Sequence, residues 1–264
     1  MLGIPLKLST LLRIFPQIIK WAFLKNEKKY TYMQQIAYQH AAKQSSYDSE
    51  KKDDHVVGSG TGSYEEHNKW KDYDTYLMKY VDESFTNKVA LDFGCGPGRN
   101  LVKYSKSFQR IDGCDISKEN IKNAKKNLEF NKIPVPNLYV TNGNDLGDVP
   151  DNYYDYIFSS IVLQHICVHK IRFSILSSMY KALKEGGRIS LQMGFGENSP
   201  NTVGYYENFY NAIGTNRAVD TRVDDPNEIK KDLEKIGFKN FEYWIREVGP
   251  GDNHPNWIFF TAVK

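Results

Sequence analysis

The chain is 264 residues long, with 40% hydrophobic and 25% charged residues and a mean hydropathy of −0.58. That is enough chain for one large domain with a buried core, and it excludes a multi-span membrane protein, a collagen-like repeat and a disordered chain. The net charge of +3 is uneven: residues 1–30 hold six basic side chains against Glu27 and sum to +5, which leaves −2 for the rest, so there is no wide basic face to grip a nucleic acid backbone.

Taken from the start, residues 5–24 place Leu8, Leu11, Leu12, Phe15, Ile18, Ile19, Ala22 and Phe23 at helical spacing, with Lys7, Arg13, Gln17 and Lys20 opposite. Pro16 and the interspersed charges make the stretch too interrupted for a membrane span or a signal peptide. It reads either as a helix packed on its own domain or on a second subunit, or as a basic helix resting on an anionic membrane surface. Residues 44–68 are polar and rich in Gly and Ser, which predicts a long, lid-like loop. Residues 69–82 then set Trp70, Tyr73, Leu77, Tyr80 and Val81 on one helical face.

From residue 88 short apolar runs alternate with helical ones. The expected strands are Val89–Phe93, Ile111–Asp115, Leu138–Thr141, Tyr156–Ser160 and Arg188–Met193. Helices are expected over Lys118–Phe130, behind the N-cap residue Ser117, and over His169–Leu183, which stops at Gly186 and Gly187. This alternation implies a parallel sheet with right-handed crossovers. The end differs: Pro226–Ile236 is a helix with Pro at its first turn, and Phe241–Val248 and Trp257–Val263 form an antiparallel hairpin.

The chemistry starts at residues 89–100, VALDFGCGPGRN, where a strand runs into Gly94, Gly96 and Gly98 and then into a helix. Glycines let a ligand approach the main chain, and the free N–H groups of a helix start suit an anionic group. The next strand ends in Asp115, where a carboxylate can accept hydrogen bonds from ribose hydroxyls. A dinucleotide fingerprint wants its third glycine at position 99, which is Arg here. Asp92, two residues before the first glycine, is poorly placed for a pyrophosphate and well placed for an ammonium.

The run LDFGCGPG, CDIS, NGNDL, YDYIFSSIVLQHI and KEGGRISLQM resembles the class I methyltransferases that depend on S-adenosylmethionine. The resemblance covers roughly residues 70–264. It implies an α/β fold with a seven-stranded, mostly parallel sheet of order 3-2-1-4-5-7-6, strand 7 antiparallel, and helices on both faces. Residues 1–68 form a helical N-terminal extension, and residues 69–264 the methyltransferase domain. The implied cofactor is S-adenosylmethionine. Gly94, Gly96 and Gly98 lie along its methionine moiety, with Asp92 facing the amino group and Arg99 and Asn100 opening the helix beside it. Asp115 holds the ribose, Ile116 meets the adenine, and Asn144, Asp145 and Leu146 line the adenine edge, with Asn142 as the alternative register. Ser160 and Gln164 come from the end of the fourth strand, and Trp70 from the segment ahead of the core.

In an open α/β sheet the ligand sits beyond the carboxyl ends of the parallel strands. That rule brings in Gln192 and His169 as acceptor contacts and His165 as a proton acceptor. The stretch of about 194–225, longer than an ordinary connection, is expected as a cap carrying Tyr205, Tyr206 and Tyr210. The turn before the last strand adds Asp252 and His254 as further acid–base candidates and Asn253 as an acceptor contact. No metal-ligand cluster is visible, and the three cysteines, Cys95, Cys114 and Cys167, have no zinc spacing and point to a reducing, cytoplasmic setting, with peripheral contact at the inner membrane face as the membrane variant.

Nothing after strand four matches the (D/N)PP(Y/F) signature of DNA amino-methylating enzymes, so DNA is not an expected partner. The expected reaction is methyl transfer to a small-molecule or carbohydrate acceptor, with a hydroxyl ahead of an amine or a peptide. The competing classes are a nucleotide-dependent oxidoreductase and a catalytically silent cofactor-binding subunit.

Overall fold

The computed structural model describes residues 19–20, 22–44, 73–196, 202–203, 220–248, 254 and 256–264. Five parallel strands build the centre: β1 (Val89–Phe93), β2 (Arg110–Asp115), β3 (Leu138–Val140), β4 (Tyr154–Ser159) and β5 (Leu183–Phe195). The sheet closes with a hairpin of β8 (Lys239–Glu247) and β9 (Asn256–Val263). β9 runs antiparallel against β5, from Arg188↔Val263 to Phe195↔Asn256. The central path is therefore β3-β2-β1-β4-β5-β9-β8, the expected seven-stranded order.

Two further strands extend that order. β5 continues beyond its last β4 partner, Leu191, to Phe195. β7 (Asp220–Val223) pairs in parallel with this overhang at Gly194 and Phe195, and β6 (Thr202–Val203) pairs with β7. The stretch expected as a cap thus returns to the sheet, where Val223 is buried in the main core.

The strands are nearly continuous apolar runs because both faces are covered. Successive residues of β1 and β4 point to opposite sides. Leu91, Phe93 and Ile157 pack with Ile171, Ile175 and Met179 of α5 (His169–Ala182) and with Ile229 and Leu233 of α6 (Pro226–Ile236). Ala90, Tyr156 and Phe158 pack with Leu101 of α3 (Arg99–Lys103) and with Ala124 and Leu128 of α4 (Lys118–Phe130). The expected cap forms, Ser117 Oγ accepting from the amide of Asn120 at 3.2 Å, and α6 has a cap of its own in Asp225, whose Oδ1 accepts from the amide of Asn227 at 2.9 Å.

Ahead of the core the structure departs from the sequence reading. Of the helix expected over 69–82, residues 69–72 lie outside the described residues, and the rest is α2 (Tyr73–Leu77), followed by a turn and a 3-10 segment at Glu83–Asn87. Two partners hold this chain in place of helical continuation: Tyr156 donates to the Leu77 carbonyl at 2.6 Å, and Phe85 packs edge-on against Tyr156. A long helix not expected from sequence, α1 (Asn26–Gln44), crosses the carboxyl ends of the parallel strands. The amphipathic stretch 5–24 falls largely outside the described residues, as does the loop 45–68. Among the described residues no helix is long and apolar enough to cross a membrane.

Candidate functional site: a cofactor cavity closed by α1

The glycine loop leaves β1 and is tied to the end of β2. The amides of Gly94 and Cys95 both donate to the Cys114 carbonyl, at 2.8 and 3.0 Å. Gly94 has φ +72°, and a Cβ there would lie 2.4 Å from Val162 Cγ2. Gly98 has φ +84°, and a Cβ there would come within 3.1 Å of the Ala124 Cα. Side chains are therefore excluded at both ends of the loop.

Asp115 sits at the end of β2 as the topology demands. Its Oδ2 accepts from the Gly96 amide at 2.9 Å, and its Oδ1 from the Ser117 amide at 2.8 Å and from Asn120 Nδ2 at 3.2 Å. Burial raises its carboxyl above the usual range, and these donors oppose the rise. A carboxylate offers about four acceptor positions, so one is left for a ribose hydroxyl. A second hydroxyl has to displace Asn120, the longest of the three contacts.

Asp92, on β1, is buried, and its Oδ2 has no hydrogen-bond partner. Burial pushes its carboxyl up to about 8, with Arg99 and Asn100 opposing. An unpaired buried carboxyl oxygen beside a glycine loop suits the ammonium of a methionine moiety. The residues present therefore fit S-adenosylmethionine at this end.

The cavity beside the glycine loop measures about 330 Å³, and Asp92 is buried behind it, outside the lining. Gly94, Gly96, Arg99, Asn100, Asp115, Ile116 and Ser160 line it as expected, and so does His165. Asn100 Nδ2 donates to Ser160 Oγ at 3.3 Å, joining the helix start to the end of β4.

Several expected residues lie elsewhere. Asn142 Oδ1 caps the amides of Asn144 and Asp145, and Asp145 Oδ1 accepts from Asn142 Nδ2 and the Gly147 amide. These side chains serve their own turn, Leu146 is buried in the core, and the cavity edge here is Thr141 and Gly143. Gln164 is buried outside the lining, with Nε2 3.3 Å from His165 Nε2. His169 is pulled towards α6 by Asp232, 2.6 Å away. Gln192 is buried, its oxygen accepting from the Ile161 amide at 2.6 Å and its nitrogen donating to Tyr73 at 3.3 Å. Tyr73 itself packs edge-on against Phe259, away from the cavity. His254 is buried on the backbone of Gly194 and against Trp257, 4.4 Å between ring centroids. Gly98 shapes the loop without lining the cavity. Trp70, Tyr205, Tyr206, Tyr210, Asp252 and Asn253 lie outside the described residues.

The residues that sequence reading missed belong to α1. Tyr30, Thr31, Gln34 and Tyr38 line the cavity from this helix. Tyr30 donates to the His165 carbonyl at 3.0 Å and accepts from the Cys167 amide at 2.8 Å and Gln34 Nε2 at 3.1 Å. Burial drives its phenol well above the usual range, so it stays a neutral donor. Gln35 Nε2 reaches the Ile116 carbonyl at 3.3 Å, and Asn123 Nδ2 the Ala42 carbonyl at 3.1 Å. One helix thus bridges the adenine side and the loop after β4. The signal was a polar one: Tyr30, Gln34, Tyr38 and Ala42 recur at helical spacing, in a segment whose apolar periodicity is weak.

Residues 91–191 match the family model described as "Methyltransferase domain". Over that stretch the chain is similar to the methyltransferase domain, and solved structures that share its fold include methyltransferases bound to S-adenosylhomocysteine or S-adenosylmethionine. Phosphoethanolamine N-methyltransferase 2 of Caenorhabditis elegans is 28% identical over 127 residues, 47% of this chain and 28% of that protein. The ubiquinone biosynthesis O-methyltransferase of Proteus mirabilis is 29% identical over 114 residues, 43% of this chain and 44% of that protein. Phosphoethanolamine N-methyltransferase 2 of Haemonchus contortus, solved with phosphomonomethylethanolamine and S-adenosylhomocysteine, shares the fold at a TM-score of 0.55 and 20% identity, over 74% of this chain and 53% of that one. The chain spans between 28% and 53% of the length of the curated relatives it matches.

Proposed function

We propose that the methyltransferase domain methylates a small polar acceptor, with a hydroxyl as the first choice, that sits between α1 and the turn after β4. The observation that carries this reading is the roof: α1 covers the same cavity that Asp115 and the glycine loop border. A cavity of about 330 Å³ closed by a helix favours a compact molecule over a nucleic acid or a folded protein.

When bound, S-adenosylmethionine supplies an electrophilic methyl group on a sulfonium. The chain's own residues do the rest. Asp92 and Asp115 hold the cofactor's two polar ends, and α1 keeps water out of the cavity. His165 borders the cavity and contacts Tyr38, with ring centroids 5.9 Å apart. The His165 imidazole takes the proton that a hydroxyl or an ammonium loses on methylation. Tyr30, Gln34, Tyr38, Ile166 and Ile175 line the cavity with it, and among the described lining residues the one Lys or Arg is Arg99, at the glycine loop. That composition favours an uncharged acceptor over a phosphorylated one, although the relatives named above include both an N- and an O-methyltransferase.

The experiment is a panel of small hydroxyl and amine acceptors, phosphoethanolamine included, incubated with methyl-labelled S-adenosylmethionine. Transfer to a small hydroxyl compound, slowed by about 10²–10⁴-fold in His165→Ala at unchanged cofactor affinity, is the expected result. Transfer only to protein or nucleic acid would refute the small-acceptor reading, and full turnover in His165→Ala would remove its role as base.

A further inference from the structure

Ile161 follows β4 and borders the cavity with φ +58°. For a β-branched residue this left-handed conformation is an outlier, held only where the surroundings over-determine it. Its side chain packs on the cluster of Tyr73, Leu77, Trp257 and Phe259, and its amide is held by one side chain. Gln192 Oε1, buried on β5, accepts from the Ile161 amide at 2.6 Å. Gln192 Nε2 donates in turn to Tyr73 at 3.3 Å, and Tyr73 is fixed by its edge contact with Phe259. The turn at Ile161 sends the chain back over the glycine loop, so that Val162 presses on Gly94 where a Cβ would stand 2.4 Å away.

We propose that Gln192 is a positioning residue for cofactor binding: by clamping the Ile161 amide it holds the left-handed turn that seats Val162 on Gly94. It touches neither the cavity nor the reacting atoms. Its action runs from Gln192 through Ile161 and Val162 to the glycine loop; the Ile161 amide, a donor only, requires the Gln192 oxygen to face it, and Tyr73 accepts from the other end. The inference rests on cofactor binding alone, so its failure leaves the choice of acceptor untouched.

Glycine adopts the left-handed region without a clamp, which gives a discriminating test. The affinity for S-adenosylhomocysteine is measured by calorimetry for wild type, Gln192→Leu, Ile161→Gly and the double variant, well below the melting temperature of each. Gln192→Leu is expected to weaken binding by about tenfold in the wild-type background and by no more than about twofold in the Ile161→Gly background. Hydrogen exchange at the residue 161 amide should accelerate in Gln192→Leu. A loss of equal size in both backgrounds would overturn the proposal, since Gln192 would then act on stability or packing and not through this turn. Wild-type affinity in Gln192→Leu would overturn it as well. If Gln192→Leu does not fold, Tyr73→Phe, which keeps the ring on Phe259, carries the same comparison with and without Ile161→Gly. A smaller loss, again suppressed by glycine, supports the clamp, and an unsuppressed loss or none refutes it.

Discussion

Asp92 makes cofactor binding a proton-linked event. Before binding, burial holds its carboxyl up at about 8, and Oδ2 has no donor. At pH 7 the group is therefore about 0.9 protonated, whereas an ordinary aspartate is fully ionised. The ion pair needs a carboxylate and an ammonium, and the amino group of S-adenosylhomocysteine, flanked by a carboxylate in place of a peptide, is already an ammonium at this pH. Forming the pair at pH 7 thus releases about 0.9 of a proton. The release falls as pH rises through 8, and below pH 7 affinity drops about tenfold per pH unit. Calorimetric titration of S-adenosylhomocysteine in phosphate and in Tris reads the proton count from the difference in heats. Asp92→Asn should abolish the release and weaken binding. The same variant should stabilise the protein without cofactor at pH 7. The sign follows from the raised carboxyl: the folded state keeps a proton that the unfolded chain gives up near pH 4, so Asp92 costs more stability as pH rises towards 8. After the cost of the amide's unpaired donors, a gain of about 1–3 kcal/mol is expected. No buffer dependence between pH 6 and 7, or an unchanged proton count in Asp92→Asn, would refute this reasoning.

Two further predictions follow from the same geometry. Asp115→Ala removes the acceptor of the Gly96 amide as well as the ribose contact, and should weaken S-adenosylhomocysteine by about 1–3 kcal/mol, measured by calorimetry; unchanged affinity would remove Asp115 from the ribose. Tyr30→Phe leaves the buried Cys167 amide without its acceptor, so thermal unfolding should show a loss of about 1–3 kcal/mol, and α1 should exchange its amides faster; a protein as stable as wild type would mean that α1 is held by its other contacts.

The parallel core was legible because burial on both faces leaves one signal, short apolar runs between helices, and Ser117 caps as expected. Gly94, Gly98 and Asp115 were legible because each answers a local backbone demand that few residues can meet. What escaped was set by tertiary pairing. α1 buries phenol and amide groups, which carry no apolar period, and the carbonyls of Ile116 and His165 and the amide of Cys167 account for them. β7 exists because β5 outruns β4, a register fact that no local window contains. Gln192 and His169 are polar residues near strand and helix ends, where a sequence argument expects ligands. Their hydrogen bonds to Ile161 and Tyr73, and to Asp232, show packing roles instead.

The central claim is that S-adenosylmethionine lies under α1 with its polar ends on Asp92 and Asp115. A crystal structure of the full chain with S-adenosylhomocysteine tests it most directly. The account predicts the ammonium at Asp92 Oδ2, a ribose hydroxyl at Asp115, the adenine between Ile116 and Thr141–Gly143, and α1 closed over them with Tyr30 still bonded to the His165 carbonyl. A cofactor bound outside this cavity, or one seated with α1 displaced and Asp92 unpaired, would contradict it.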